Sequence, residues 1–146
     1  MAVASQPDRR LKVPANVAFQ TFSTPAELGK KLRASELFCV PSAWHASASL
    51  YMLEALACGL PVVSTGAQPA GEDAPGILVI PNAAERLAQT VQELVEDSVA
   101  RQQLATQAYS SYTGKFMWSA TRAAYRSVLG FRRADNNSTA VAKSLA

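Results

Sequence analysis

Apolar residues along this chain follow two rhythms. Short unbroken apolar runs occupy residues 37–40, 60–63 and 76–80, and the first and third stop at Pro41 and Pro81. Runs of this length without alternation are the mark of strands covered on both faces, as in a parallel sheet. Between and after them lie longer stretches with apolar positions three and four apart, the helical rhythm. Residues 37–64 combine the two as strand, loop, helix, strand, which is a βαβ crossover. Its helix is expected over residues 50–58, with Ser49 as N-cap and Gly59 as the left-handed stop. Leu50, Leu53, Leu56 and Ala57 are the expected buried stripe. Pro61 opens the following strand, where a missing N–H costs least. Ligands of open α/β sheets bind beyond the carboxyl ends of strands, beside helix N-termini. The loop over residues 42–49 holds that place and is the first candidate site.

The flanking elements follow from local signals. Residues 1–15 are polar, with Pro7 and Pro14, and read as a loose lead-in. Residues 16–22 (NVAFQTF) read as a strand. Thr24, Pro25 and Glu27 spell an N-cap, a first-position proline and a capping box, with Leu28 and Leu32 inward. Residues 65–75 form a loop. Asn82 is the expected cap of a long helix with Leu87, Val91, Leu94 and Val95 as its core face. Ser98 starts another, to about Tyr112, with Leu104, Ala105, Ala108 and Tyr112 inward and Gly114 as its end. Phe116, Met117 and Trp118 form an aromatic hinge, and Ser119 caps a last helix to about Leu129. Residues 131–146 are small and polar and are expected to be a disordered tail. The fold class predicted is α/β: a partial Rossmann-like open parallel sheet of three or four strands, flanking helices and a helical C-terminal part. The folded domain is expected over residues 16–130.

Composition narrows the function classes. The chain is 146 residues long, 49% hydrophobic and 17% charged, which suits one globular domain rather than a disordered chain. Its formal charge of +3 and pI near 9.1 are only mildly basic. The basic residues are dispersed, and no aromatics interleave with them as a nucleic-acid stacking surface requires, so no nucleic-acid partner is expected. Cys39 and Cys58 are too few for a disulfide framework and lack metal-ligand spacing. Buried free thiols in a reducing compartment are the simpler reading. No apolar run reaches the length of a membrane span. A soluble, cytoplasmic protein with no metal site is the expectation.

The order of motifs is specific. Residues 35–42 read S-E-L-F-C-V-P-S. Ser49 and Leu50, then Leu53-Glu54-Ala55-Leu56-Ala57-Cys58-Gly59-Leu60-Pro61-Val62-Val63, follow at fixed distance. Gly76-Ile77-Leu78-Val79-Ile80-Pro81 comes next and Phe116-Met117-Trp118 last. In this order the chain resembles the second half of the C-terminal, nucleotide-sugar-binding domain of the group-one (family four) glycosyltransferases of GT-B fold. The resemblance covers roughly residues 16–129 and rests on several spaced motifs rather than one. It implies transfer of a sugar from a nucleotide sugar to an acceptor with retention, and no cofactor beyond the donor substrate. It assigns the ribose hydroxyls of the nucleotide to Glu54, since a carboxylate offers acceptors to two adjacent hydroxyls. It assigns the diphosphate to the backbone N–H groups at Ser49 and Leu50. Ser42 and Ser47 are read from their residue type as candidate phosphate donors, with backbone capping as the competing reading. Glu54 has a competing reading as a first-turn acid that complements the helix dipole.

Departures from the family pattern bear on catalysis. The first glutamate of the family's Glu pair falls at Ala46, and alanine cannot accept a hydrogen bond from a sugar hydroxyl. His45 stands beside it as a weak catalytic candidate; a lone loop histidine is more often structural. Trp44 could stack on a base or pack in the core. Glu72 and Asp73 are adjacent, so their side chains point apart and they are given no acid–base role. The first two strands of the family's domain have no counterpart, nor does the family's N-terminal half. Residues 16–22 are therefore expected either to pair directly with residues 37–40 or to be displaced, and a partner chain could supply the missing half. The reading is thus a glycosyltransferase-like domain, a fragment or shortened paralogue not active alone. The alternative is a non-catalytic α/β module that binds a nucleotide or a partner.

Overall fold

The computed structural model describes residues 2–3, 14–41, 50–65 and 74–130. Three strands, β3 (Phe38–Pro41), β4 (Val62–Thr65) and β5 (Ile77–Ile80), form a parallel sheet in the order β3-β4-β5. Central β4 is buried along its whole length, as a continuous Val-Val-Ser-Thr run flanked by two parallel neighbours must be. The expected partial Rossmann-like sheet is therefore present. Strand register puts Pro41 opposite Thr65, and Thr65 opposite Ile80, so all three strands finish at one level.

Residues 16–22 contribute only the two-residue strand β2 (Ala18–Phe19). It pairs in parallel with β1 (Ala2–Val3), a strand inside the segment read as a lead-in. Direct pairing of β2 with β3 does not occur; of the two expected outcomes, displacement is the one observed. The reason that sequence missed β1 is its length, since two residues carry no period.

Helix α1 (Pro25–Arg33) begins as expected. The Glu27 N–H donates to Thr24 Oγ1 at 3.3 Å, and Glu27 Oε2 accepts from the Ser23 N–H at 2.9 Å. The reciprocal bond thus goes one residue further back than in the usual capping box. Helix α2 (Leu50–Ala57) packs on the sheet through Met52, Ala55 and Leu56. This corrects the expected stripe: Leu50 is 75% exposed, and Leu53 and Ala57 are only partly covered. Apolar residues surround this helix, so its period does not choose a face; contact with β4 and the later helices does. The stop at Gly59 is as expected, at φ +71°. The Leu60 N–H reaches the Ala55 carbonyl at 3.0 Å and the Gly59 N–H the Leu56 carbonyl at 2.9 Å, the bond pair of a Schellman end.

Helices α3 (Ala84–Glu96) and α4 (Ser98–Ser111) meet at one residue, Asp97. Its Oδ1 accepts from the N–H groups of Val99 and Ala100 at 3.0 and 2.9 Å. Arg101 donates back to the carbonyls of Leu94 and Val95 at 2.6 and 2.8 Å, satisfying the end of α3. The cap of α3 is Ala83, not Asn82, with no side-chain bond, and Val95 lies half-exposed rather than in the core. Helix α4 lies against the start of β5. A Cβ at Gly76 (φ +94°) would stand 2.4 Å from both the N and Cα of Ala108, so only glycine allows this approach. Ser111 Oγ donates to the Pro75 carbonyl at 2.6 Å beside it.

Gly114 does not end this helix. The chain widens into a π-helical stretch, Tyr112–Phe116, closed by the Met117 N–H on the Tyr112 carbonyl at 2.8 Å. The wider turn lets both Tyr112 and Phe116 pack against the core. Helix α5 (Trp118–Leu129) follows, with Met117 rather than Ser119 as its cap, and ends at Gly130 (φ +65°). Cys39 and Cys58 are free and only half-buried. Burial pushes the Cys39 thiol above its ordinary value, which disfavours the reactive thiolate.

Candidate functional site

The shared level of Pro41, Thr65 and Ile80 defines the carboxyl edge of the sheet. Helix α2 starts after β3 and before β4, so its first residue, Leu50, lies on the return from that edge. The backbone N–H groups of a helix's first turn have no partners within the helix. This is the general place where α/β sheets hold anions.

On α2 the residues sort by face. Met52, Ala55 and Leu56 are fully buried, while Leu50, Tyr51 and Glu54 are exposed. At 100° per residue, Leu50, Glu54 and Tyr51 fall on one outward arc, with Glu54 one turn beyond the other two. A carboxylate thus faces solvent from the helix that leaves the carboxyl edge. Glu54 is the fifth residue of α2, and the first turn contains no acid. Dipole effects fall off within that turn, so the competing dipole reading of Glu54 loses its footing.

Of the residues singled out from sequence, Leu50 and Glu54 are described. His45, Ala46, Ser47 and Ser49 lie outside the described residues, as do Ser42, Trp44, Glu72 and Asp73. Sequence reasoning passed over Tyr51. The signal that could have found it is its spacing, an aromatic three residues before Glu54. Among the described residues, no group of His, Cys, Asp and Glu is arranged to hold a metal ion. None of their helices is long and apolar enough to cross a membrane. Buried polar residues at the sheet's edge, Ser64 and Thr65, sit on the central strand.

Comparison with known proteins gives this geometry a context. The family model described as glycosyl transferases group 1 matches residues 5–111. A D-inositol 3-phosphate glycosyltransferase of Segniliparus rotundus is 36% identical over 129 residues, which is 82% of this chain. The match spans 28% of that relative's length. Two solved structures share the fold. HepE of Anabaena, in complex with UDP, superposes with a TM-score of 0.66 at 20% identity, over 79% of this chain and 32% of its own. Sucrose-phosphate synthase of Thermosynechococcus elongatus superposes with a TM-score of 0.65 at 23% identity, over 78% of this chain and 30% of its own.

Proposed function

The chain belongs to the group 1 glycosyl transferases, and from that membership we propose that it carries the nucleoside-diphosphate half of a nucleotide-sugar site. The observation that carries this reading is Glu54, exposed on a helix whose neighbouring residues Met52, Ala55 and Leu56 are buried. A carboxylate kept in water there is free to accept from the two ribose hydroxyls of a nucleotide. The diphosphate lies toward the start of α2, on the backbone N–H groups of Ser49 and Leu50, with Ser47 as a further donor. The UDP bound by HepE, a protein of the same fold, supports a nucleotide as the ligand class.

In the reaction of the whole protein, the bond between the sugar's anomeric carbon and the diphosphate oxygen breaks with retention. An acceptor hydroxyl forms the new bond to the anomeric carbon and passes its proton to the departing diphosphate oxygen. The electron pair leaves with the diphosphate, so negative charge grows where the helix N–H groups point. Residues 16–130 are the transferase unit in this reading. The match spans 28% of the relative's length; in this reading the chain acts as a fragment or shortened paralogue of such an enzyme, and a partner chain is the proposed source of the missing half. The half-buried free thiols Cys39 and Cys58 suit a cytoplasmic setting.

Ala46 favours a second reading, in which the chain binds a nucleotide without turning it over. Alanine in place of the family's first glutamate removes a group near the donor sugar. Both readings share one test. The purified chain is titrated with uridine, guanosine and adenosine diphosphates by calorimetry. Saturable binding that Glu54→Ala abolishes is the expected result; no saturation at millimolar nucleotide would overturn both.

A further inference from the structure

Helix α2 exposes two large apolar side chains where it starts. Leu50 is 75% exposed and Tyr51 is 52% exposed, although the next residue, Met52, is completely buried. Apolar side chains that the fold leaves uncovered beside a carboxylate make a composite surface rather than a core. The spacing makes it local. Tyr51 and Glu54 are three apart, hence neighbours on the helix surface. Helical side chains also lean toward the N-terminus, so Glu54 reaches back over the turn that carries Tyr51.

A nucleoside is built to match such a pair. Its ribose edge bears hydroxyls that donate to a carboxylate, while its base and the faces of its pentose are flat and poorly hydrated. A tyrosine ring covers such a face at low entropic cost, having few rotatable bonds. We infer that Tyr51 is a nucleoside-positioning residue: its ring lies against the nucleoside whose ribose hydroxyls Glu54 accepts. This rests on the nucleotide reading of Glu54. It adds a separate claim, that recognition extends beyond ribose and diphosphate to an apolar contact on the same helix. The bound class is a nucleoside diphosphate, and the contact accepts any base, because every base has a π face.

The test compares the full chain with Tyr51→Phe, Tyr51→Ala and Glu54→Ala, titrated with UDP and with inorganic pyrophosphate. Tyr51→Phe keeps the ring and binds UDP within about twofold of the parent. Tyr51→Ala loses the ring and binds UDP roughly tenfold more weakly, the scale of one base-stacking contact. Its pyrophosphate affinity is unchanged, since that ligand has no nucleoside. Its thermal midpoint without ligand is also unchanged, because Tyr51 is exposed and packs no core. Equal UDP affinity of Tyr51→Ala and parent, with binding still lost in Glu54→Ala, overturns the inference and leaves the nucleotide reading standing. An equal loss for UDP and pyrophosphate in Tyr51→Ala also overturns it, because the contact would then be with the phosphates. A parent chain that never saturates with UDP removes both.

Discussion

Helices α2 and α5 make an instructive pair. The eight-residue α2 places Met52, Ala55 and Leu56 out of solvent entirely. The twelve-residue α5 buries nothing, and Trp118, Tyr125, Val128 and Leu129 are all exposed. Length does not decide which is the firmer element. An isolated helix of about a dozen residues is marginal in water, so its stability comes from what it packs against. Helix α2 packs against a sheet whose central strand is wholly buried, and against α4. Helix α5 is tied to the body near its first turn, where the Thr121 hydroxyl donates to the Phe116 carbonyl at 3.4 Å. Folding energy is therefore concentrated in the sheet with α2 and α4, and the periphery adds little.

That contrast can be broken at four positions. The largest effect is expected at Gly76, where a side chain would meet the α4 backbone and the backbone angle is left-handed. Gly76→Val should cost about 4 kcal/mol or more in urea unfolding, and a mild loss would mean that α4 can back away from β5. Leu56→Ala should cost about 3 kcal/mol by the same measurement, from lost burial plus the cavity left behind. Asp97→Ala removes the acceptor for two N–H groups at the start of α4, and about 1 kcal/mol is expected. Val128→Ser on α5 should change stability by no more than about 0.5 kcal/mol. A loss of several kcal/mol there would show that the exposed face of α5 is covered in solution and would end the comparison.

The legible parts of the fold were those fixed by neighbours in sequence. Thr24, Pro25 and Glu27 start α1, Gly59 stops α2, Pro61 precedes β4, and Leu129 ends α5, because each acts through bonds within a few residues. The failures needed information from afar. Leu50 looked inward because α2 is apolar on most sides, and only the sheet settles which arc it covers. Gly114 looked like a terminator, but packing of Tyr112 and Phe116 carries the chain through it in a wider turn. Asn82 and Ser119 looked like caps, yet α3 is capped one residue later, at Ala83, and α5 two residues earlier, at Met117. The candidate site was half legible. Motif order picked out Glu54, which the structure leaves exposed, while Tyr51 carried no motif and emerged only from its exposure.

The junction at Asp97 has a consequence for how this molecule meets proteases. One residue closes α3 and opens α4, and Arg101 holds the carbonyls that a loop would have left free. Proteolytic nicking concentrates at exposed loop tips that can be drawn out into an extended form. Here the corner is on the surface but offers no slack to draw out. Limited digestion should leave it intact, and any segment grafted between these helices must first unmake a cap that serves both.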